Sequence, residues 1–246
     1  MTWVKICGTT NLEDALLAVE AGADAVGFVL HEKSPRKIDL ATARRIAEQL
    51  PENVEKIGVF VLGDNVDEAD IILHGGFTGA QSYFPTDASE HGKASKGRAI
   101  GTSGLPPRAR FLTAFPMSLV GGDDAQIEQM ASDFANFGKN LPQGIPIPNL
   151  HFTFVLDSGD LRQPGGTGKI FNWEKAVPIA EGMRQGGVNL VVAGGLTPEN
   201  VDEAIGILHP WGVDVVSGVE ASPGKKDPDK VRAFVKAVRD IDRKTS

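Results

Sequence analysis

From one end of the chain to the other, short β-favouring runs alternate with stretches whose apolar residues recur at helical spacing. That alternation restricts the fold more than any other feature, because it calls for parallel strands joined by crossover helices. The first unit sets the type. WVKI at residues 3–6 is a strand-like run, and Asn11 then opens a helix in which Leu12, Ala15, Leu16 and Val19 share a face, with Asp14 placed to help cap it and Gly22 ending it. DAVGFV at 24–29 is the second strand, followed after a loop by a helix from about Asp39 whose face carries Leu40, Ala43, Ala47 and Leu50, with Pro51 stopping the element. KIGVFV at 56–61 is the third strand.

The second half repeats the pattern. HFTFVL at 151–156 and NLVVA at 189–193 read as strands six and seven, each suited to burial on both faces. Thr197 and Pro198 form a cap and first-turn pair before a helix bearing Val201, Ala204, Ile205 and Leu208. DVVS at 214–217 is the eighth strand, and Asp227 with Pro228 opens a last helix whose Val231, Phe234, Val235 and Val238 face inward.

Between the halves, residues 65–74 carry a helical stripe of Val66, Ala69, Ile72 and Leu73 ending at His74. Strand four then falls at TGAQSY, 78–83, and strand five at RFLTAF, 110–115. A helix with Ile127, Met130, Ala131 and Phe134 follows, while 85–109 and 138–149, rich in Gly, Pro, Ser and Lys, read as extended loops. The expected fold is therefore α/β, one (β/α)8 barrel domain over residues 1–246 with long loops in the middle of the chain. With 41% hydrophobic residues in 246, the chain can bury such a core.

Charge and cysteine content narrow the partners. A net charge of -7, from 25 basic and 32 acidic residues, lacks the positive footprint of a nucleic-acid binder. No run reaches the roughly 18 apolar residues of a membrane span, and MTWVKICG shows no secretory leader, so the expected location is cytoplasmic. The single cysteine, Cys7, excludes an intrachain disulfide, and neither it nor the five histidines fall at metal-ligand spacing, so no metal is expected.

In such a barrel the chemistry lies at the carboxyl ends of the strands. Cys7 follows strand one, Arg36 lies in the loop after strand two, and Asp157 follows strand six; Gly194-Gly195 and Ser217-Gly218 follow strands seven and eight. The two glycine turns suit a phosphate, which needs backbone N–H groups at close range, and VEASPG after Gly218 could add a short helix whose amino end faces the anion. A lone cysteine is usually a small buried hydrophobe. What sets Cys7 apart is its place at a strand end with Lys5 two residues earlier on the same inward face, where an ammonium favours the thiolate, unless Lys5 is simply a paired charge inside the barrel. Asp157 ends an apolar run, so desolvation could hold its carboxyl protonated, though an Asp-Ser-Gly more often makes a turn. Arg36 could grip a carboxylate with two prongs, against the plainer role of a solvated charge. The glycines of PGGTGKIFNW, 164–173, Gly166 among them as a substrate contact, suit a mobile flap and lack the spacing of a nucleotide loop.

Taken together, KICGTTNLEDALLAVEAGADAVGFVL, KSPRKI, KIGVFV, LDS with GGTGKIFNW, AGGLTPENV and SGVEASPGKKD resemble phosphoribosylanthranilate isomerase of tryptophan biosynthesis, over roughly residues 3–61 and 151–240. The resemblance implies a (β/α)8 barrel with general base Cys7, general acid Asp157, Arg36 on the anthranilate moiety and phosphate loops at Gly194-Gly195 and Ser217-Gly218. It also implies a small sugar-phosphate substrate, no cofactor, and a monomer or homodimer. At strand four the family's VQLHG-like stretch is AQSYF here, keeping Gln81 but setting Tyr83 and Phe84 in place of His and Gly, on one wall of the mouth. The related histidine-pathway isomerase, or a dual-substrate relative, implies an aspartate base where this chain has Cys7. A barrel that binds a phosphorylated ligand without turning it over is the remaining alternative.

Overall fold

Every residue of β1 (Trp3–Cys7) is buried, but on two different sides. Successive side chains of a strand point to opposite faces. Val4 and Ile6 join the larger apolar core between sheet and helices, while Trp3 and Cys7 belong to a second, inner core. The same parity runs around the sheet: Val26 and Phe28 of β2 (Ala25–Val29) face out, and Ile57, Val59 and Val61 of β3 (Glu55–Val61) face in. Burial on both faces is what made these runs nearly continuous in apolar residues.

The molecule, here a computed structural model, is described over residues 1–61, 71–72, 75–83, 109–117, 123–137, 152–159 and 168–245. Its remaining barrel strands are β4 (Gly79–Tyr83), β5 (Arg110–Pro116), β6 (Phe152–Asp157), β7 (Asn189–Val192) and β8 (Gly212–Val215). They form a closed barrel in sequence order, with β8 returning parallel to β1. The expected (β/α)8 architecture is thus present. Among the described residues no helix is long and apolar enough to cross a membrane.

Helix starts follow the expected chemistry. Asn11, Asp39 and Asn172 each accept a hydrogen bond from the backbone N–H three residues on, which satisfies one of the open donors of the first turn. Gly22, at φ 95°, ends the first helix (Leu12–Ala21) in the left-handed conformation that glycine adopts without strain.

Several boundaries differ from expectation, and the second helix (Leu40–Ala47) already ends short of Leu50. Strand eight begins two residues early, at Gly212, which pairs in register with Trp3 and packs so close to its ring that a Cβ there would sit 2.9 Å from it. It also ends early: at Val216 the backbone leaves the strand for a one-turn 3-10 helix, Ser217–Val219, so Ser217 lies beyond the sheet. The helix after β7 begins at Val201 rather than at Pro198. Its approach is a turn in which the Asn200 side chain accepts from the Thr197 N–H and donates to the Gly195 carbonyl. Finally, VEASPG does not form a helix. It runs into a small hairpin of β9 (Glu220–Ser222) and β10 (Lys225–Lys226).

Of the stripe expected at 65–74, Ile71 and Ile72 are described and are helical and buried. His74, Phe84, Gly166, the loop 138–149 and nearly all of 85–109 lie outside the described residues.

The amino end of the barrel is closed by aromatic stacking. Trp3 lies against Trp211, ring centroids 5.1 Å apart, and the Arg110 guanidinium sits over both rings while pairing with Glu55. The opposite, carboxyl end is left for chemistry.

Candidate active site

Inward parity carries polar groups to the carboxyl end. Cys7 and Asp157 are the last residues of β1 and β6, and Tyr83 is the last of β4. Below them lie Lys5, Gln81 and Asp214, all buried. These six side chains fill the upper part of the barrel interior.

Lys5 is the charged centre of this layer. Its ammonium lies 2.8 Å from Asp214 Oδ2 and 2.9 Å from Gln81 Oε1. Burial works against the charge on Lys5, but Asp214 and Cys7 beside it prevail and leave its pKa above the ordinary value. Both readings offered for Lys5 therefore meet in one residue: it is a paired interior charge, and it does pull the Cys7 thiol toward ionisation. That pull does not win. Desolvation is the larger influence, and with Asp214 it leaves the Cys7 pKa raised, so the thiol rather than the thiolate is the resting form.

Asp157 accepts from the Gly159 N–H at 2.7 Å on Oδ1 and from the Tyr83 hydroxyl at 3.0 Å on Oδ2. Burial pushes its carboxyl up and the two donors pull it back; the balance remains above the usual aspartate range. A raised carboxyl can hold a proton and give it away.

Cys7, Tyr83 and Arg36 line a common cavity with His31, Ser34 and Val216, about 480 Å³ of empty space including its open mouth. Arg36 is 8% exposed, which overturns its reading as a solvated surface charge. Nor is its fork open to a ligand on every side: Nε and Nη2 are already paired with the Glu220 carboxylate at 2.8 to 3.1 Å. Among the described residues, the end of the guanidinium, Nη1 with the second N–H of Nη2, is what remains for an anion. Burial opposes the charge on Glu220, yet the Arg36 hydrogen bonds and the Lys226 ammonium hold its carboxyl below the ordinary range. Lys226 also donates to the Cys7 carbonyl at 2.6 Å and so ties the hairpin to the end of β1.

The glycine turns come together beside this cavity. A Cβ on Gly218 would meet the Leu196 carbonyl oxygen at 1.9 Å, and one on Gly195 would meet the Lys169 carbonyl oxygen at 2.4 Å. Gly194 and Gly195 both have positive φ, 81° and 67°. Backbone thus packs on backbone where a side chain would intrude, and Ser217 follows directly on the cavity-lining Val216. Asp157 does not itself line the cavity; it reaches it through Tyr83.

Reasoning from sequence assigned no part to Glu220, Lys226 or Asp214. A signal existed for Asp214: Lys5 on an inward position needs a counter-charge, and closing the ring sets Asp214 directly opposite it in register. Among the described residues no group of three or more His, Cys, Asp or Glu is placed to hold a metal ion.

A family model described as N-(5'phosphoribosyl)anthranilate (PRA) isomerase matches residues 148–237. A curated relative from Thermotoga neapolitana, N-(5'-phosphoribosyl)anthranilate isomerase, is 37% identical over 98% of this chain and 100% of its own length. The crystal structure of phosphoribosyl anthranilate isomerase from Thermotoga maritima aligns at a TM-score of 0.68 and 35% identity, over 98% of this chain and 100% of its own. A crystal structure of a phosphoribosyl anthranilate isomerase in complex with reduced 1-(o-carboxyphenylamino)-1-deoxyribulose 5-phosphate aligns at a TM-score of 0.66 and 34% identity, with coverage of 98% and 100%.

Proposed function

The chain belongs to the phosphoribosylanthranilate isomerase family and is an isomerase, and on that premise we propose that it converts N-(5-phosphoribosyl)anthranilate to 1-(2-carboxyphenylamino)-1-deoxyribulose 5-phosphate. This is an Amadori rearrangement, a step of tryptophan biosynthesis. The observation that carries the residue assignment is the inward placement of Cys7 and Asp157 at two strand ends, each buried and each within one polar layer.

Asp157 is the general acid. Its protonated carboxyl gives a proton to the furanose ring oxygen as the ring C–O bond breaks, leaving a Schiff base between C1′ and the anthranilate nitrogen. Cys7 is the general base. Its thiolate takes the C2′ proton, the C–H electron pair forms the C1′–C2′ double bond, and the iminium becomes a neutral enolamine that tautomerises to the ketone. No atom is gained or lost. Because the free thiol rests protonated, the productive form is the one in which Asp157 holds the proton and Cys7 does not. Each placed proton transfer supplies about 10² to 10⁴ in rate.

Binding is divided between two anchors. The end of the Arg36 guanidinium takes the anthranilate carboxylate, its orientation set by Glu220. The backbone turns at Gly194-Gly195 and Ser217-Gly218 take the phosphate. A ligand held at both ends presents its sugar to the acid and the base.

The test follows the fluorescence of freshly made phosphoribosylanthranilate mixed with the protein. Turnover that is lost in Cys7→Ser and in Asp157→Asn supports the assignment. Binding without turnover by the wild type supports the silent ligand-binding barrel instead, and turnover surviving either substitution removes that residue from the mechanism.

A further inference from the structure

Lys5 can only donate hydrogen bonds, and that single fact assigns every donor across the barrel interior. Gln81 must turn its carbonyl oxygen to the Lys5 ammonium, 2.9 Å away, so its amide nitrogen faces the other way. There it donates to the Tyr83 hydroxyl at 3.2 Å. The phenol oxygen is thereby an acceptor toward Gln81, and its one proton is left for Asp157 Oδ2, 3.0 Å away. With Asp157 ionised, no flip of the amide or rotation of the hydroxyl satisfies all three contacts in another way. The chain Lys5, Gln81, Tyr83, Asp157 is polarised in one direction, from a cation paired with Asp214 to a carboxyl.

We propose that Tyr83 is a positioning residue for Asp157, fixing which lone pair of its carboxyl carries the transferable proton and linking that carboxyl to the Lys5 beside Cys7. The role of Asp157 as general acid is the part of this that rests on the proposed function. With Oδ1 taking the Gly159 N–H and Oδ2 taking the phenol, two acceptor directions are filled. The proton of the acid form is confined to the remaining ones. Once that proton has been given away, the same two donors stabilise the carboxylate.

Among the described residues, the groups that act on this contact are these. Tyr83 of β4, Asp214 of β8 and Lys5 of β1 act on Asp157, together with the Gly159 N–H; Asp157, Asp214 and Cys7 act on Tyr83. Burial and the neighbouring Asp157 hold the phenol ionisation well above its usual value, so Tyr83 stays a donor wherever the enzyme works. A phenylalanine would keep the ring and remove only the last link. It leaves Gln81 Nε2 and Asp157 Oδ2 each short of a partner in a buried site.

The decisive measurement is a carboxyl 13C NMR titration of aspartate-labelled protein, with the Asp157 signal assigned by its absence in Asp157→Asn. In Tyr83→Phe the Asp157 midpoint moves to higher pH, because a donor that favours the charged form is gone. Tyr83→His, which returns an N–H donor to the same place, moves it back. With substrate, Tyr83→Phe lowers kcat by about 10²-fold, the cost of misplacing a reacting group by about 1 Å, and leaves KM nearly unchanged. An Asp157 midpoint that is the same in wild type and Tyr83→Phe overturns the proposal, and so does a loss confined to KM. Should the phenylalanine variant not fold, the wild type against Tyr83→His still decides it: a kcat collapse in a histidine variant whose Asp157 titrates as in the wild type overturns the role. The NMR arm needs no turnover, so a failure of the isomerase reading would appear separately, as a wild type that titrates as described but converts nothing.

Discussion

Lys5 and Asp214 meet across the seam where strand eight closes on strand one, ammonium and carboxylate 2.8 Å apart, with side chains 0% and 3% exposed. The pair is directly in register between the two strands. Asp214 uses only one oxygen for it; Oδ1 is buried and has no hydrogen-bond partner among the described residues. Its compensation therefore comes almost entirely from Lys5.

Replacing Lys5 by methionine should consequently be costly, since it leaves a buried carboxylate unpaired. Breaking one partner of such a pair typically costs about 3–5 kcal/mol. A urea unfolding midpoint measured for Lys5→Met should fall accordingly, and the double variant Lys5→Met, Asp214→Leu should regain much of the loss by removing the stranded charge. A double variant no more stable than the single one would show that the pair is not what holds this seam.

Strand runs were legible because a barrel strand is buried on both faces, and that leaves a long apolar signature in segments such as KIGVFV. Inward parity was legible for Lys5 and Cys7, while Asp157 stood out as the end of an apolar run. What was hidden depends on ring closure or on close approach. Strand eight reads from Asp214, yet it starts at Gly212, which pairs in register with Trp3 and packs too closely on its ring to admit a side chain. Thr197 reads as a helix cap, but the Asn200 side chain bonds back to the Thr197 N–H and the Gly195 carbonyl, and the helix begins only after it. Glu220 and Lys226 sit in a hairpin beyond the last strand, where nothing in their spacing points to Arg36 or to the Cys7 carbonyl. Tyr83 appeared as a departure on one wall of the mouth, and only the contacts of Gln81 and Asp157 give that departure a chemical meaning.

Gly27 stands opposite Cys7 in register on the neighbouring strand. A Cβ there would lie 2.6 Å from Cys7 Sγ and 2.8 Å from Lys5 Cε, closer than real contacts allow. Gly27→Ala should therefore displace the thiol. A shift of about 1 Å in a reacting group can cost on the order of 10²-fold in rate, so kcat should drop by that order while the fold persists. Turnover within a few-fold of wild type in a folded Gly27→Ala protein would mean that the sulfur is not held where it matters.

Glu220→Gln tests the anchor at the other end of the substrate. The substitution keeps the shape but removes the charge that pairs with Arg36 and Lys226. Losing about 1.4 kcal/mol of carboxylate binding through a misdirected Arg36 raises KM roughly tenfold. Because binding rather than proton transfer is affected, kcat should change far less. Steady-state kinetics separates the two, and an unchanged KM would detach Glu220 from substrate binding.

Asp157 should cost the protein stability at the pH where it works. Its pKa is raised in the folded state, first by burial, so the folded form binds this proton more tightly than the unfolded chain does. Stability from that proton is complete below the ordinary aspartate range and is lost as the pH rises through the raised value. Asparagine at this position cannot ionise and escapes the loss. Asp157→Asn should then be inactive yet more resistant to denaturant than wild type near neutral pH, with the difference shrinking as the pH is lowered past the ordinary carboxylate range. Denaturation midpoints at a series of pH values give the comparison. A gap that stays constant with pH would mean that Asp157 titrates alike in both states, and that burial does not prime it to hold the proton it is proposed to give.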